Sequence, residues 1–134
     1  MSTTLLYQSF GLKHVNYLKT THKEGKTFFH VEPKPEIIRC PTCNSTHVYK
    51  RGEKERVLRH VSIGRRPVFV HISLPRVQCL SCGGLRQITI PCAEPHKRYT
   101  RAFERYVREL CQEMTMEQVA HLLGVCWDTV KEIV

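Results

Sequence analysis

An α+β fold, β-rich and built around four cysteines in its first part and all-helical in its second, is predicted by three features of the chain. Two matching four-residue clips, Cys40-Pro41-Thr42-Cys43 and Cys79-Leu80-Ser81-Cys82, are separated by 35 residues. The residues between the clips alternate apolar with polar, as a strand buried on one face does. Beyond Pro95 the spacing changes, and apolar residues recur at every third and fourth position, the period of an amphipathic helix.

The clips carry the chemistry. Two cysteines separated by two residues let both sulfurs point at one ion, and two such clips supply the four thiolates of a tetrahedral structural zinc site. Asn44 and Gly83 follow the clips at the same offset. These residue types enter the left-handed backbone region most easily, as a tight turn of amides around a sulfur requires. A redox pair would need a βαβ pattern, and neither clip has one. A disulfide or another metal are the competing readings. The expected site is one zinc ion on Cys40, Cys43, Cys79 and Cys82. Cys92, His96, His47 and His60 are spare donors that a site closed by four sulfurs does not need. A closed site also leaves no position for a substrate.

Length and composition narrow the function classes. A chain of 134 residues is one ordinary domain or two small ones, and a small unit gains much of its folding free energy from a bound metal. The seven cysteines are an odd number. No apolar run approaches the roughly 18 residues of a membrane span, and the polar start Met1-Ser2-Thr3-Thr4 lacks the pattern of a signal peptide. A cytoplasmic protein with reduced thiols is expected. The formal charge is +9, which suits a polyanionic partner, most simply nucleic acid. Its distribution is uneven: residues 46–78 carry eight basic and two acidic side chains, whereas residues 100–134 carry four and six.

In chain order, His14–Leu18 and Thr27–Val31 read as strands of a hairpin turning near Glu24-Gly25. Pro33 and Pro35 then punctuate the chain before the first clip. Between the clips, Arg56–Val61 and Val68–Leu74 alternate apolar with polar residues around a turn at Ile63–Pro67, and this hairpin would bring the clips together. Leu85–Ile90 reads as one more short strand ended by Pro91. The β-rich zinc ribbon is therefore placed at residues 1–95 and the helical unit at residues 96–134.

In the helical unit, Phe103, Tyr106, Val107, Leu110, Cys111 and Met114 mark the first helix. Thr115 and Gln118 form a capping box for a second helix, with Met114 and Val119 placed as a hydrophobic staple. That helix runs from Met116 to Leu123 with Val119, Ala120, Leu122 and Leu123 inward, and Gly124 ends it. A third begins near Trp127 and buries Val130 and Ile133. Small Ala120 at the helix crossing and Gly124 at the bend make a helix-turn-helix pattern, whose second helix lies in the major groove. The expected DNA contacts divide by role. Lys50, Arg51, Lys54, Arg56, Arg59, Arg65, Arg66 and Arg76 hold phosphates, while Trp127, Asp128, Thr129 and Lys131 face bases or phosphates.

Catalytic motifs are missing. Asp128 is the only aspartate, nothing pairs it with a second carboxylate for metal-assisted phosphoryl transfer, and no G-x-S-x-G, P-loop or HExxH occurs.

Over residues 10–134 the chain resembles the N-terminal region of bacterial insertion-sequence transposases of the ISL-three type. The resemblance rests on His30-Val31-Glu32-Pro33, both clips, Arg59-His60, Lys97–Thr100 leading into Phe103-Glu104, and Met114–Met116 through Leu123–Val125 to Trp127–Lys131. It implies a nucleoid-associated protein that binds the terminal inverted repeats of a mobile element in double-stranded DNA, as a monomer or homodimer, with zinc holding the ribbon. Such transposases continue into an RNase-H-like domain with a DDE carboxylate triad. This chain stops at Val134, so the expectation is a module that binds DNA and cuts nothing. Two alternatives use the same parts: a small zinc-containing helix-turn-helix transcriptional regulator, and a zinc-stabilised protein-interaction module.

Overall fold

The computed structural model describes residues 3–134, and Met1 and Ser2 of the polar start lie outside them. The α+β class and the order of its parts are as the sequence predicts. Helix α1 (Thr3–Phe10) precedes a hairpin of β1 (Val15–Lys23) and β2 (Lys26–Pro33), and a single 3₁₀ turn spans Pro35–Ile37. Then come β3 (Val48–Ile63), β4 (Arg66–Cys79), the short β5 (Leu85–Gln87), and helices α2 (Arg101–Leu110), α3 (Met116–Leu123) and α4 (Trp127–Ile133). None of the described helices is long and apolar enough to cross a membrane.

Both expected hairpins form and are longer than their apolar signals. Glu24 and Gly25 turn the first with positive φ. The second pairs Val48 with Cys79 at one end and Ile63 with Arg66 at the other, with a bulge between Lys50 and Glu53 where Gly52 takes a φ of 84°. β2 adds to β4 in parallel, from Thr27 beside Val68 to Val31 beside Ile72, so one five-stranded sheet runs β1-β2-β4-β3. β5 pairs Arg76–Gln78 of β4. The strand expected to reach Ile90 is shorter than that: Ile88 and Ile90 turn into the core instead of continuing the ladder.

Two apolar clusters result. Phe29, Leu58, Val68, Val70, Ile72 and Leu74 line one sheet face and are covered by Leu6 of α1, Leu12 and the segment Ile88–Ala93. Helix α1 escapes the sequence reading, although Leu6 and Phe10 stand one helical turn apart and both join this cluster. The second cluster joins Tyr99, Phe103, Val107, Val119, Ala120, Leu123, Val130 and Ile133. Of the apolar residues assigned inward, Leu122 is the exception at 41% exposure. It stands on α3 beyond the reach of α2 and α4.

The clusters meet along the outer edge of β3. The backbone of Arg59 pairs with the incoming chain, donating to the Arg98 carbonyl at 2.8 Å and accepting from the Thr100 amide at 3.0 Å. The Arg59 side chain points under the helices, where Nη2 donates to the Leu123 carbonyl at 2.9 Å and to Ser62 Oγ at 2.8 Å, and Nε donates to the His60 carbonyl at 3.2 Å. Its guanidinium lies 5.7 Å from the Phe69 ring and 5.2 Å from the Phe103 ring. Next to it His60 is fully buried, with Nδ1 2.8 Å from Thr100 Oγ1. That hydroxyl also accepts from the Phe103 amide as the N-cap of α2.

Burial pushes His60 down to about 4, opposed more weakly by the nearby Phe10 carbonyl. The unfolded chain therefore binds a proton that the native one refuses, and stability present above pH 6.5 is lost as pH falls toward 4. The full shift corresponds to about 3 kcal/mol. Urea midpoints at pH 7 and pH 4.5 should show this loss, and His60→Gln should remove that part of the slope while zinc-linked acid sensitivity stays. Arg59→Ala should cost about 2–4 kcal/mol, from three lost charged hydrogen bonds and two ring contacts. Thermal melts should show the helical signal becoming unstable ahead of the sheet.

Candidate metal centre and nucleic-acid interface

The far end of the β3–β4 hairpin closes the cysteine site. Pairing of Val48 with Cys79, together with a 2.9 Å bond from the Leu80 amide to the His47 carbonyl, sets the second clip against the strand that leaves the first. The two clips are built alike. The Asn44 amide returns to the Cys40 carbonyl at 2.9 Å and the Gly83 amide to the Cys79 carbonyl at 3.0 Å, with φ of 59° and 76° at these two residues. The left-handed turns expected after each clip are present.

Cys40 Sγ lies 3.6 Å from Cys82 Sγ, Cys43 Sγ lies 3.4 Å from Cys79 Sγ, and all four sulfurs fall within 4.8 Å of one another. Thiolates at about 2.3 Å from a zinc ion would form a tetrahedron with edges of about 3.8 Å. The donor set therefore fits zinc in both size and softness. Backbone amides prepare it: Ser81 and Cys82 donate to Cys79 Sγ at 3.3 and 3.4 Å. The Cys43 and Thr42 amides hold the Cys40 thiol at about 6, and the Cys82 amide lowers Cys79. At Cys43 the Ser45 amide pulls downward, but the shared contact with Cys79 and burial outweigh it and the thiol stands at about 11. Without an ion the cluster divides its protons unequally among the sulfurs; an ion would displace them.

One neighbour of this site has no place in the sequence reading. Arg86 donates from Nη1 to Cys82 Sγ at 3.4 Å, and a Cβ on Gly84 would meet that guanidinium at 1.8 Å. Any side chain at position 84 would push Arg86 off the sulfur. The signal for this was the Gly83-Gly84 pair followed closely by a cation. Cys92 is away from the cluster, buried among apolar residues that push its thiol up to about 11. Among the described residues the four clip cysteines form the one group able to hold an ion.

The expected DNA contacts separate into two sets. Lys50, Arg51 and Lys54 on β3, Arg65 and Arg66 at the hairpin tip, and Arg76 on β4 are exposed. Arg59 is a correction, because at 8% exposure its guanidinium is used up inside the protein. Arg56 is half-buried and donates to the carbonyls of Glu94 at 3.0 Å and Lys97 at 2.7 Å, which turns it from solvent toward the connector.

The helical end has the geometry of a helix-turn-helix. Thr115 accepts from the Gln118 amide at 3.2 Å while Gln118 Oε1 accepts from the Thr115 amide at 2.9 Å, completing the capping box. Gly124 takes φ 66° between α3 and α4. Trp127, Asp128 and Lys131 are exposed on α4, Thr129 is half-buried, and the Lys131 ammonium stands 5.1 Å from the Trp127 ring. Cys126 gives α4 no side-chain cap. The hairpin tip comes close to this unit, since Arg65 shares a shallow cleft with Gln118 and His121 of α3.

Comparison with known proteins agrees with both halves. Residues 36–82 match the zinc-finger of transposase IS204/IS1001/IS1096/IS1165, and residues 88–134 match the helix-turn-helix domain of transposase family ISL3. The chain carries the zinc-ribbon and helix-turn-helix modules of the ISL3 transposases. It is similar to the transposase for insertion sequence element IS1557 from two strains of Mycobacterium tuberculosis, CDC 1551 / Oshkosh and ATCC 25618 / H37Rv. Identity to each is 31% over 106 residues, covering 78% of this chain and 24% of the relative. The chain thus spans about a quarter of the length of these relatives. No solved structure matches it. The matched modules are the DNA-binding parts of the family, and the ribbon match ends on the second clip.

Cys43→Ser tests the metal centre without disturbing packing, because Cys43 is exposed while Cys40 and Cys79 are buried. The reduced chain should take up zinc, and this variant should lose zinc affinity by orders of magnitude and melt earlier, as removal of one thiolate from a structural site requires. Equal melting of the two proteins with and without chelator would show that no metal supports the fold.

Proposed function

We propose that this chain binds double-stranded DNA at the terminal inverted repeats of a mobile element. Residues 1–95 serve as the zinc-ribbon domain, with one zinc ion on Cys40, Cys43, Cys79 and Cys82, and residues 96–134 serve as the helix-turn-helix domain. The observation that carries the reading is the joint made by Arg56 and Arg59. Through their bonds to the Glu94, Lys97 and Leu123 carbonyls, the cationic arm and α4 belong to one body. The arm supplies the attraction that the acidic helical unit lacks, and α4 supplies discrimination.

In this reading Lys50, Arg51, Lys54, Arg65, Arg66 and Arg76 hold phosphates, which orient the protein without reading sequence. Trp127, Asp128, Thr129 and Lys131 meet the groove. A carboxylate suits the cytosine N4 donor, a lysine suits guanine O6 and N7, and the indole suits a thymine methyl. A homodimer would match the two-fold relation of inverted ends. The site of action is the cytoplasm, and the 134 residues serve the binding step.

Selection from random duplexes should return a preferred sequence that matches the element ends. Lys131→Ala should cost about 1–3 kcal/mol on it and relax preference at one base, whereas Lys50→Ala should weaken all sequences alike and reduce the salt slope by about 0.9. Metal analysis should give one zinc per chain. A folded, zinc-loaded chain that leaves every duplex unbound at about 150 mM salt would overturn the reading in favour of a protein-interaction module.

A further inference from the structure

A cleft of about 520 Å³ opens between the Lys54–Leu58 stretch of β3 and the connector that leads to α2. Its wall holds Lys54, Arg56, His96, Lys97 and Arg98 against one carboxylate, Glu55, and Glu55 Oε2 lies 3.5 Å from His71 Nε2. The sulfur site uses none of these groups. The connector is fixed in place: Arg56 holds the Glu94 and Lys97 carbonyls, and the Arg59 amide holds the Arg98 carbonyl at 2.8 Å. His96, between these anchors, keeps a left-handed φ of 67° that a non-glycine residue adopts only when its surroundings impose it. The cleft is therefore formed in advance, with a strained residue at its rim.

It also adjoins the reading helix. Lys97 Nζ bonds Glu132 Oε1 of α4 at 2.8 Å, with the carboxylate 54% exposed. The Lys97 hydrogen bond, helped by its charge and by Arg98, holds that carboxylate below its usual range. Lys97 thus lines the cleft and is at the same time paired to an anion of α4. An exposed ion pair of this kind is weak, and a phosphate brought up on a duplex competes for its cation on favourable terms.

We propose that this cleft is an anion site for a backbone phosphate of the duplex that α4 reads, with Lys97 and Arg98 as its ligands and Glu132 as the group that occupies Lys97 until the phosphate replaces it. The proposal rests on the DNA-binding reading and adds to it a contact outside the ribbon arm and a built-in competitor. Glu132 sets the affinity of the reading helix by holding back one cation.

The test uses the zinc-loaded chain and a duplex it selects from a random pool. Arg98→Ala and Lys97→Gln should each lower the slope of log affinity against log salt by about 0.9. Glu132→Gln should tighten binding about twofold to fivefold, and the gain should vanish when Lys97→Gln is also present. A slope unchanged by Arg98→Ala, or a Glu132→Gln gain that survives the loss of Lys97, would overturn the cleft while leaving DNA binding intact. A chain that binds no duplex overturns both.

Discussion

Antiparallel pairing between β3 and β4, from Val48 beside Cys79 to Ile63 beside Arg66, sets the position of every other part of the molecule. One end of the pair brings two clips that are 35 residues apart in the chain to within bonding distance of a common ion. The middle carries the buried row of Leu58, Val68, Val70 and Ile72. The outer edge of β3 receives the connector, through Arg59, and so the helices. Near the clips the two strands differ: β3 is almost continuously exposed, whereas β4 keeps Leu74, Val77 and Cys79 buried. Side-chain burial at that end therefore comes from β4 and hardly from β3. The β3 side is held there by its backbone ladder to β4, and an ion on the four sulfurs would add to it.

Charge is divided in the same way. The β-rich part is strongly basic and the last 35 residues are net acidic, an unfavourable balance for a helix that approaches phosphates. The joint compensates by attaching the acidic unit to the basic one through arginines whose acceptors are mostly carbonyls. Among the described residues Arg59 faces no carboxylate in the interior; its partners are the Leu123 and His60 carbonyls, the Ser62 hydroxyl and two aromatic faces. A buried cation is tolerable when its donors are satisfied in this way, and no surface carboxylate is consumed in doing so.

Much of this was legible in the sequence, and what was not has a common cause. The clips and their left-handed followers, the capping box at Thr115, the glycine stop at Gly124 and the apolar rows of both hairpins are local signals, and the structure keeps each one. Arg56 and Arg59 were assigned to phosphates because they belong to the most basic stretch of the chain, on an alternating strand with one face expected toward solvent. Alternation identifies a face, however, and not what lies against it; on β3 the facing material is the connector and α2–α4, supplied from 40 residues later in the chain. The outer half of β3 was invisible for the opposite reason, since it is polar on both faces and is held to β4 by its backbone ladder and by polar pairs such as Arg51 with Gln78 and Glu53 with Ser73. Helix α1 is too short for a clear period, and Leu122 carries the right spacing but has no partner helix to cover it.

Helix α4 shows how far the joint reaches. At seven residues, with no side-chain cap from Cys126, it is below the length at which a helix holds itself in water. It persists because Val130 and Ile133 are buried and because Arg108 Nε donates to the Ile133 carbonyl at 3.3 Å, placing a cation at the negative end of its dipole. Its start is set by the turn before it, and the last carbonyl of α3 in that turn, Leu123, is the one that Arg59 takes from the sheet. A cation at a helix C-terminus satisfies a carbonyl that the helix itself cannot. The attitude of α4 is therefore fixed from its N-terminal side by a β3 arginine and from its C-terminal side by an α2 arginine. The hairpin that gathers the sulfurs thereby also sets the angle at which Trp127 and Lys131 are presented.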